Sequence, residues 1–174
     1  HALAQRLGGF GPESPRMAET FQTDREVGHR QKFFVTDLGS DTTHEIEARL
    51  QVVSPNAYWY VDDTLDLATE DLENAANEYE DRVRPTMLMA LGDVWNPGVD
   101  GDPRLTVLHT SLGGNVAGYF DSQNEFPRRT HPNSNEREML FMDGIRLDPG
   151  SAQYMGVLAH ELQHAVHWAH DQGE

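Results

Sequence analysis

The final stretch of the chain, 151-SAQYMGVLAHELQHAVHWAHDQGE-174, contains the segment that decides the fold. Its apolar side chains recur at the three- and four-residue spacing that puts them on one face of an α-helix. These apolar positions are Tyr154, Val157, Leu158, Leu162, Ala165 and Val166. The sequence therefore predicts a helix from about Ser151, with one apolar face that packs against the rest of the protein.

The same segment contains two histidines, His160 and His164, in the pattern H-E-x-x-H. Residues four apart on a helix lie one above the other, so both imidazoles can reach one ion such as zinc. Glu161 lies about 100° further round the helix, beside such an ion and not on it. From there its carboxylate can take a proton from a water molecule that zinc has made acidic. The pattern predicts zinc-dependent hydrolysis of peptide bonds, and the alternative is two ordinary histidines on a helix surface.

A catalytic zinc ion needs a third protein ligand, and this segment does not supply one with suitable geometry. His170 stands where the metzincin pattern H-E-x-x-H-x-x-G-x-x-H has its third ligand, but His167 replaces the glycine that ends that helix. If the helix continues, His170 lies about 15 Å along the axis from His160 and cannot reach the same ion. We therefore expect the third ligand outside this chain and keep His170 for a metzincin-like alternative.

Upstream of this helix, short segments have the composition and alternation of β-strands. They are 32–38, 45–53 and 57–63 in the first half of the chain, and 104–110, 115–120 and 138–145 in the second. In the second strand every other residue from Ile46 to Val52 is apolar. This alternation predicts that these side chains share one half-buried face of a sheet.

Between the two groups of strands, residues 69–91 change to helical periodicity. Thr69 is the expected N-cap of this helix, and Gly92 is expected to end it. Pro85 should kink or split the helix, because proline lacks the N–H that the helical ladder needs. The order strands, helix, strands, helix predicts an α+β fold, in which a twisted mixed sheet carries a backing helix and an active-site helix.

The beginning of the chain differs from the rest. Residues 1–30 show no apolar period and contain the stretch GGFGPESP, which predicts an irregular N-terminal arm or pro-segment. Residues 31–174 are then expected to form one domain, which is long enough to bury its own apolar core.

Composition and charge exclude several classes of function. The chain has no cysteine, which rules out disulfides, thiolate zinc sites and iron–sulfur clusters. It has 29 acidic and 13 basic residues, with a formal net charge of −16 at pH 7. Because phosphate backbones and anionic lipid surfaces would be repelled, we expect neither a nucleic-acid partner nor a membrane partner.

Beyond the motif itself, residues 45–174 resemble the N-terminal subdomain of zincin metallopeptidases. The likeness is best from Asp102 onward, in DPRLTVLHTSLGGNVAGYFDSQNEFPR, SNEREMLFMD and VLAHELQHAVHWAHDQGE, which are similar to secreted bacterial peptidases of the hyicolysin and immune inhibitor A type. The resemblance implies an extracellular gluzincin. Its third zinc ligand would be a glutamate beyond the helix, in a C-terminal subdomain that these residues do not include.

The resemblance also implies where the substrate binds. It assigns the edge strand that pairs with an extended protein or peptide substrate to Asn115, Val116, Ala117, Gly118 and Tyr119. An unpaired strand edge has free N–H and C=O groups for such pairing, whereas an internal strand, the alternative, does not.

A second metal is a further hypothesis. Asp100 and Asp102 flank Gly101, and oxygen ligands on a glycine-containing loop suit calcium. The family setting also favours structural calcium, and plain turn chemistry is the alternative.

Three hypotheses of function follow. The first is a zinc-dependent endopeptidase with His160 and His164 as ligands and Glu161 as general base. The second is a catalytically incomplete zincin-like module that serves in binding or structure. The third is a metzincin-like peptidase in which His170 completes the ligand set.

Overall fold

The computed structural model describes residues 25–171, and a six-stranded sheet is their central element. The strands are β1 (Arg30–Asp37), β2 (Thr42–Val53), β3 (Ala57–Asp62), β4 (Leu105–Thr110), β5 (Gly118–Phe120) and β6 (Met139–Asp143). The α-helices are α1 (Thr69–Glu78), α2 (Arg84–Ala90) and α3 (Ala152–Asp171). This mixed sheet with helices agrees with the coarse part of the predicted fold class, and the zincin subdomain stays a prediction.

The strands follow the order β1-β2-β3-β4-β6-β5 across the sheet. β1, β2 and β3 are antiparallel neighbours, β3, β4 and β6 are parallel, and β5 runs antiparallel to β6 at the far edge. Every residue of the three parallel strands is buried. Parallel strands are usually covered on both faces, and here each face has its own core.

Alternate side chains of the central strands enter two separate cores. The helix-side core joins one face of the sheet to α1 and α3, and includes Trp59, Val61, Val107, Leu140, Met142, Leu72, Leu158 and Leu162. The inner core lies on the other face, and includes Phe33, Val35, Leu50, Tyr58, Tyr60, Leu108 and Phe141. A change of one residue in the register of a central strand would therefore exchange the two cores.

A β-bulge in β2 corrects the prediction that its apolar residues share one face. The pairing with β3 shifts between Leu50 and Val52, with Leu50 opposite Tyr60 and Val52 opposite Trp59. Leu50 consequently packs in the inner core and Val52 in the helix-side core. The extra residue, Gln51, is what lets one strand contribute to both cores.

The sheet curls until its two edge strands are bridged by side chains. Asn135 Oδ1 accepts the Phe34 N–H of β1 at 2.8 Å, and Asn135 Nδ2 donates to the Phe34 carbonyl at 2.9 Å. Tyr119 of β5 accepts the Thr36 N–H through its hydroxyl at 3.2 Å. The first and last strands of the sheet therefore lie on either side of one gap.

The helices between β3 and β4 differ in one detail from the prediction. The N-cap of α1 is Ala68, which makes no side-chain capping hydrogen bond, so the assignment of Thr69 as N-cap is wrong. A π-helical turn, Tyr79–Val83, separates α1 from α2, and Pro85 lies in the first turn of α2. This agrees with the expected break, since the wider turn accommodates the missing N–H of proline. Gly92 follows the end of α2 with a φ of 103°.

Part of the predicted N-terminal arm belongs to the folded domain. The arm's first 24 residues lie outside the described range. Arg25 is buried, and the Gly28 N–H donates to the Leu50 carbonyl of β2 at 2.8 Å. Within residues 25–171, no helix has both the length and the apolar content needed to cross a lipid bilayer.

Candidate metal centre

Helix α3, which carries the histidine motif, is packed against the core of the protein along one face. It runs unbroken over Ala152–Asp171, as its apolar periodicity predicts. Leu158, Leu162 and Ala165 are buried in the helix-side core, whereas His160 and His164 on the other side are exposed. The apolar face of the helix thus fixes the direction in which both imidazoles project.

The two imidazoles of the motif face each other across one helical turn. Nε2 of His160 and Nε2 of His164 lie 3.2 Å apart, and their ring planes are nearly perpendicular at 89°. Two nitrogens bound to one tetrahedral zinc ion, each at about 2.0–2.1 Å, are themselves about 3.3–3.4 Å apart. The separation of the two nitrogens is therefore close to that of two ligands on one zinc ion.

The side chain of Glu161 projects from α3 toward the edge strand β5. Its side chain is only 8% exposed. A Cβ atom added at Gly118 of β5 would lie 3.3 Å from Glu161 Cγ and 2.8 Å from Val157 Cγ1. Glycine at this position is therefore what allows β5 to approach the helix at the level of Glu161.

The structure does not bring His170 to the histidine pair. The helix continues past His167, as expected, and the ring of His170 packs directly over Gly92, beyond the end of α2. Among residues 25–171, no group of three or more histidine, aspartate or glutamate side chains is arranged to hold a metal ion. His160 and His164 stand as a pair in this part of the chain.

The predicted edge strand is shorter than expected but lies at the expected place. β5 includes Gly118 and Tyr119 and is the last strand of the sheet, paired with β6 alone among the described strands. β5 thus lies at an edge of the sheet, and its pairing with a substrate stays a prediction. Asn115, Val116 and Ala117 precede the strand in a turn and a bend, so including them in it was wrong. Only the Ala117 carbonyl continues the pairing, by accepting the Asp143 N–H at 2.9 Å.

A cleft of about 700 Å³ opens beside the pair, in the gap where the curled sheet brings β1 near β5. Its residues come from α3, from β1 and β5, and from the segments that follow these two strands. They include Glu161, His164, Trp168, Tyr119, Phe120, Thr36, Leu38, Asp41, Asp121, Ser122 and Gln123. The β1 side of this cleft was not predicted, because no local pattern in residues 36–41 indicates that the first strand reaches the last.

The two aspartates of the calcium hypothesis are engaged by arginine. Asp100 and Asp102 are buried, and the Arg25 guanidinium lies 3.6 Å from the first and 3.7 Å from the second. Asp102 also accepts the hydroxyl of Tyr58 at 3.0 Å, and the backbone N–H of Arg104 at 3.0 Å. The loop therefore has a cationic side chain as partner, and calcium stays a prediction.

Two further carboxyl groups are buried close to these aspartates. Glu125 is 4% exposed and Glu138 is 2% exposed, and they interact with each other. Glu138 also accepts the Val99 N–H at 3.1 Å. Burial and the negative charge of neighbouring carboxylates raise the pKa of both groups, so that the pair retains a proton at neutral pH.

Three residues with polar rings have structural roles. His109 and Tyr154 are fully buried, and the Tyr154 hydroxyl lies 2.9 Å from Nε2 of His109. Tyr119 stacks on Phe141 at 4.4 Å and bonds to β1. These contacts give Tyr154 and Tyr119 packing roles within the fold.

Comparison with family models and with curated proteins provides no role to transfer to this chain. No protein-family model matches the chain, and no curated protein matches it. The geometry of α3, β5 and the cleft beside them is therefore what indicates a function.

Proposed function

We propose that this protein is a zinc-dependent endopeptidase of the zincin type. The observation that carries the proposal is the 3.2 Å separation of two exposed imidazole nitrogens, on His160 and His164, beside a sheet edge and a cleft. Two metal ligands, a general base and a strand for substrate pairing are three of the elements that peptide hydrolysis by such a site requires, and a third metal ligand is the fourth.

His160 and His164 would hold the ion through their Nε2 atoms. A bound zinc ion would polarise the scissile carbonyl and make a water molecule acidic near neutral pH. The proposal assigns the third protein ligand to a residue outside 25–171, since the described residues provide no group of three. A glutamate, as the family resemblance implies, would fit this role.

Glu161 acts as the general base in this proposal. Its carboxylate takes a proton from the attacking water and then passes it to the amine that leaves when the peptide bond breaks. The low exposure of the side chain, 8%, keeps bulk water from competing for that proton. Its place next to Gly118 puts it beside the strand on which the substrate lies.

Strand β5 would hold the substrate backbone. Its outer edge can add an extended peptide as a further strand, in the manner of β-augmentation. The proposal therefore names an unfolded or extended protein segment as substrate. A location outside the cell is part of the proposal and is based on the family resemblance alone.

The test is the conservative change Glu161→Gln in the full chain. The variant should bind zinc like the parent, because Glu161 is not a ligand, while cleavage of an unfolded protein falls at least ~100-fold. Zinc is measured by elemental analysis after dialysis, and cleavage by mass spectrometry with and without a chelator. Cleavage that survives this change would remove Glu161 from the proposed role.

Two histidine variants complete the test. His164→Ala should abolish zinc binding, whereas His170→Ala, which removes a ring packed over Gly92, should leave it intact. Loss of zinc in His170→Ala would favour the metzincin-like alternative. Zinc bound by the parent without any cleavage would overturn the enzyme proposal and favour the binding module.

A further inference from the structure

We infer that the cleft beside the histidine pair binds a long cationic side chain, lysine or arginine, of an extended peptide substrate. The inference rests on the proposed function and names the class of substrate that this site prefers. The residues concerned are mainly those of the cleft that have no part in the proposed catalysis, such as Asp41, Asp121 and Trp168.

The charge of the cleft is the first argument. Three carboxylates, those of Asp41, Asp121 and Glu161, contribute to its lining. In the described part of the chain, no lysine or arginine lines it. Charges of one sign in a partly enclosed cleft attract the opposite charge more strongly than they do on an open surface. A cationic side chain is therefore favoured over an acidic one.

The apolar walls are the second argument. Leu38, Phe120 and Trp168 line the same cleft, and Leu38 is 42% exposed. Lysine and arginine carry an apolar stem under a charged head, so they can cover such walls while the head reaches a carboxylate. An aromatic wall such as Trp168 also attracts a cation to its ring face.

The position of the cleft is the third argument. It is bounded by Glu161 and His164 from α3 and by Tyr119 from β5. A peptide paired with the outer edge of β5 would thus place one side chain in the cleft close to the proposed scissile bond. Asp121 lies one residue after β5, and one of its oxygens accepts the Gln123 N–H at 2.9 Å. This hydrogen bond fixes the carboxylate at the end of the strand.

The experiment compares three labelled peptides that differ at one position, with lysine, norleucine or glutamate. Norleucine has the stem of lysine without its charge. Binding is measured by fluorescence anisotropy on the full-length parent protein in the presence of a chelator, so that no peptide is cut and Glu161 keeps its charge. Lysine should bind roughly three- to tenfold more tightly than norleucine, and glutamate most weakly. Raising the salt concentration should reduce the preference.

Variants of the cleft carboxylates test whether the preference for lysine over norleucine arises in the cleft. Asp41→Asn and Asp121→Asn should each reduce the ratio of lysine to norleucine affinity, by about two- to fivefold. The asparagine side chain introduced by Asp121→Asn can still accept the Gln123 N–H through its amide oxygen, so the turn after β5 is preserved. Glu73→Gln is the matched control, since Glu73 is an exposed residue of α1 outside the cleft and its loss changes the net charge equally.

The outcomes separate this inference from the proposed function. Equal binding of the lysine and norleucine peptides, or an equal effect of Glu73→Gln, would overturn the cationic preference even if the enzyme cleaves. A lysine preference that depends on Asp41 and Asp121 would support it even if no cleavage occurs, and the failure would then lie in the proposed catalysis alone.

Discussion

His109 links the sheet to the motif helix through two hydrogen bonds. Nδ1 lies 2.9 Å from the Tyr60 carbonyl, and Nε2 lies 2.9 Å from the Tyr154 hydroxyl. Since a carbonyl can only accept, Nδ1 carries the proton and Nε2 accepts from Tyr154. A neutral imidazole of this one tautomer therefore ties β4 to the first turns of α3.

The ionisation of His109 gives a pH prediction. Burial lowers the pKa of His109 from its ordinary value of 6.5 to about 4. The unfolded chain binds a proton as the pH falls below 6.5, while the folded protein does not until about pH 4. The stability present above pH 6.5 should therefore be lost across this window, by about 3 kcal/mol for this residue.

NMR titration of the imidazole signals checks the assignment directly. The His109 ring should stay neutral at about pH 5, because burial has lowered its pKa to about 4. A midpoint near 6.5, the ordinary value, for His109 would contradict the neutral, buried state.

For single residues, the sequence predicts the three residues of the motif but not the residues that line the cleft beside them. His160, Glu161 and His164 are four residues apart or fewer, so helical geometry alone places them together. Asp41 and Asp121 line the same cleft from distant parts of the chain. No periodicity connects them, because their proximity depends on how the sheet curls.

Among the elements, the contact between β5 and α3 is the closest to the candidate site. Replacing Gly118 by alanine would put a methyl group 2.8 Å from Val157 Cγ1 and 3.1 Å from the Phe141 carbonyl oxygen. The strand and helix should separate, at a cost of about 1–3 kcal/mol in unfolding free energy. Urea denaturation measures the stability, and peptide binding should weaken with it.

Gly156→Ala is the matched control on the same helix. No atom lies within 4 Å of a Cβ added at Gly156, so the methyl group fits without strain. Alanine is also the better helix former, so this variant should gain about 0.5–1 kcal/mol. A similar loss in both variants would mean that the cost at Gly118 is not the close approach of β5.

The sequence predicts the helices with strong apolar periodicity, but it does not predict the irregularities of the strands. The apolar face of α3 and the break at Pro85 follow from local rules of helix geometry. The bulge at Gln51 and the shortness of β5 do not, since both depend on how a neighbouring strand pairs. Alternation alone cannot reveal a strand that changes faces in its middle.

For the molecule as a whole, Asn135 closes the curl of the sheet. Its side chain satisfies both backbone groups of Phe34 and donates to Asn124 Oδ1 at 2.9 Å. Asn135→Ala should leave these groups unpaired and cost about 2–4 kcal/mol in unfolding free energy. Hydrogen exchange at the Phe34 amide should also become faster.

Asn133→Ala is the control for this prediction, because Asn133 is exposed in the same loop. It should change stability by less than about 0.5 kcal/mol. Unchanged exchange at Phe34 in Asn135→Ala would show that the curl does not depend on this bridge. The sequence could not predict the bridge, since Phe34 and Asn135 are 101 residues apart.

The carboxyl pair of Glu125 and Glu138 makes folding a reaction that consumes hydrogen ions. In the unfolded chain both glutamates are ionised at neutral pH, whereas in the native protein they retain a proton between them. Each molecule that folds withdraws this proton from the buffer, and each that unfolds returns it. Raising the pH therefore lowers the free energy of unfolding that this pair contributes. The loss is greatest in alkaline solution, where the exposed carboxylates of the protein are already fully ionised.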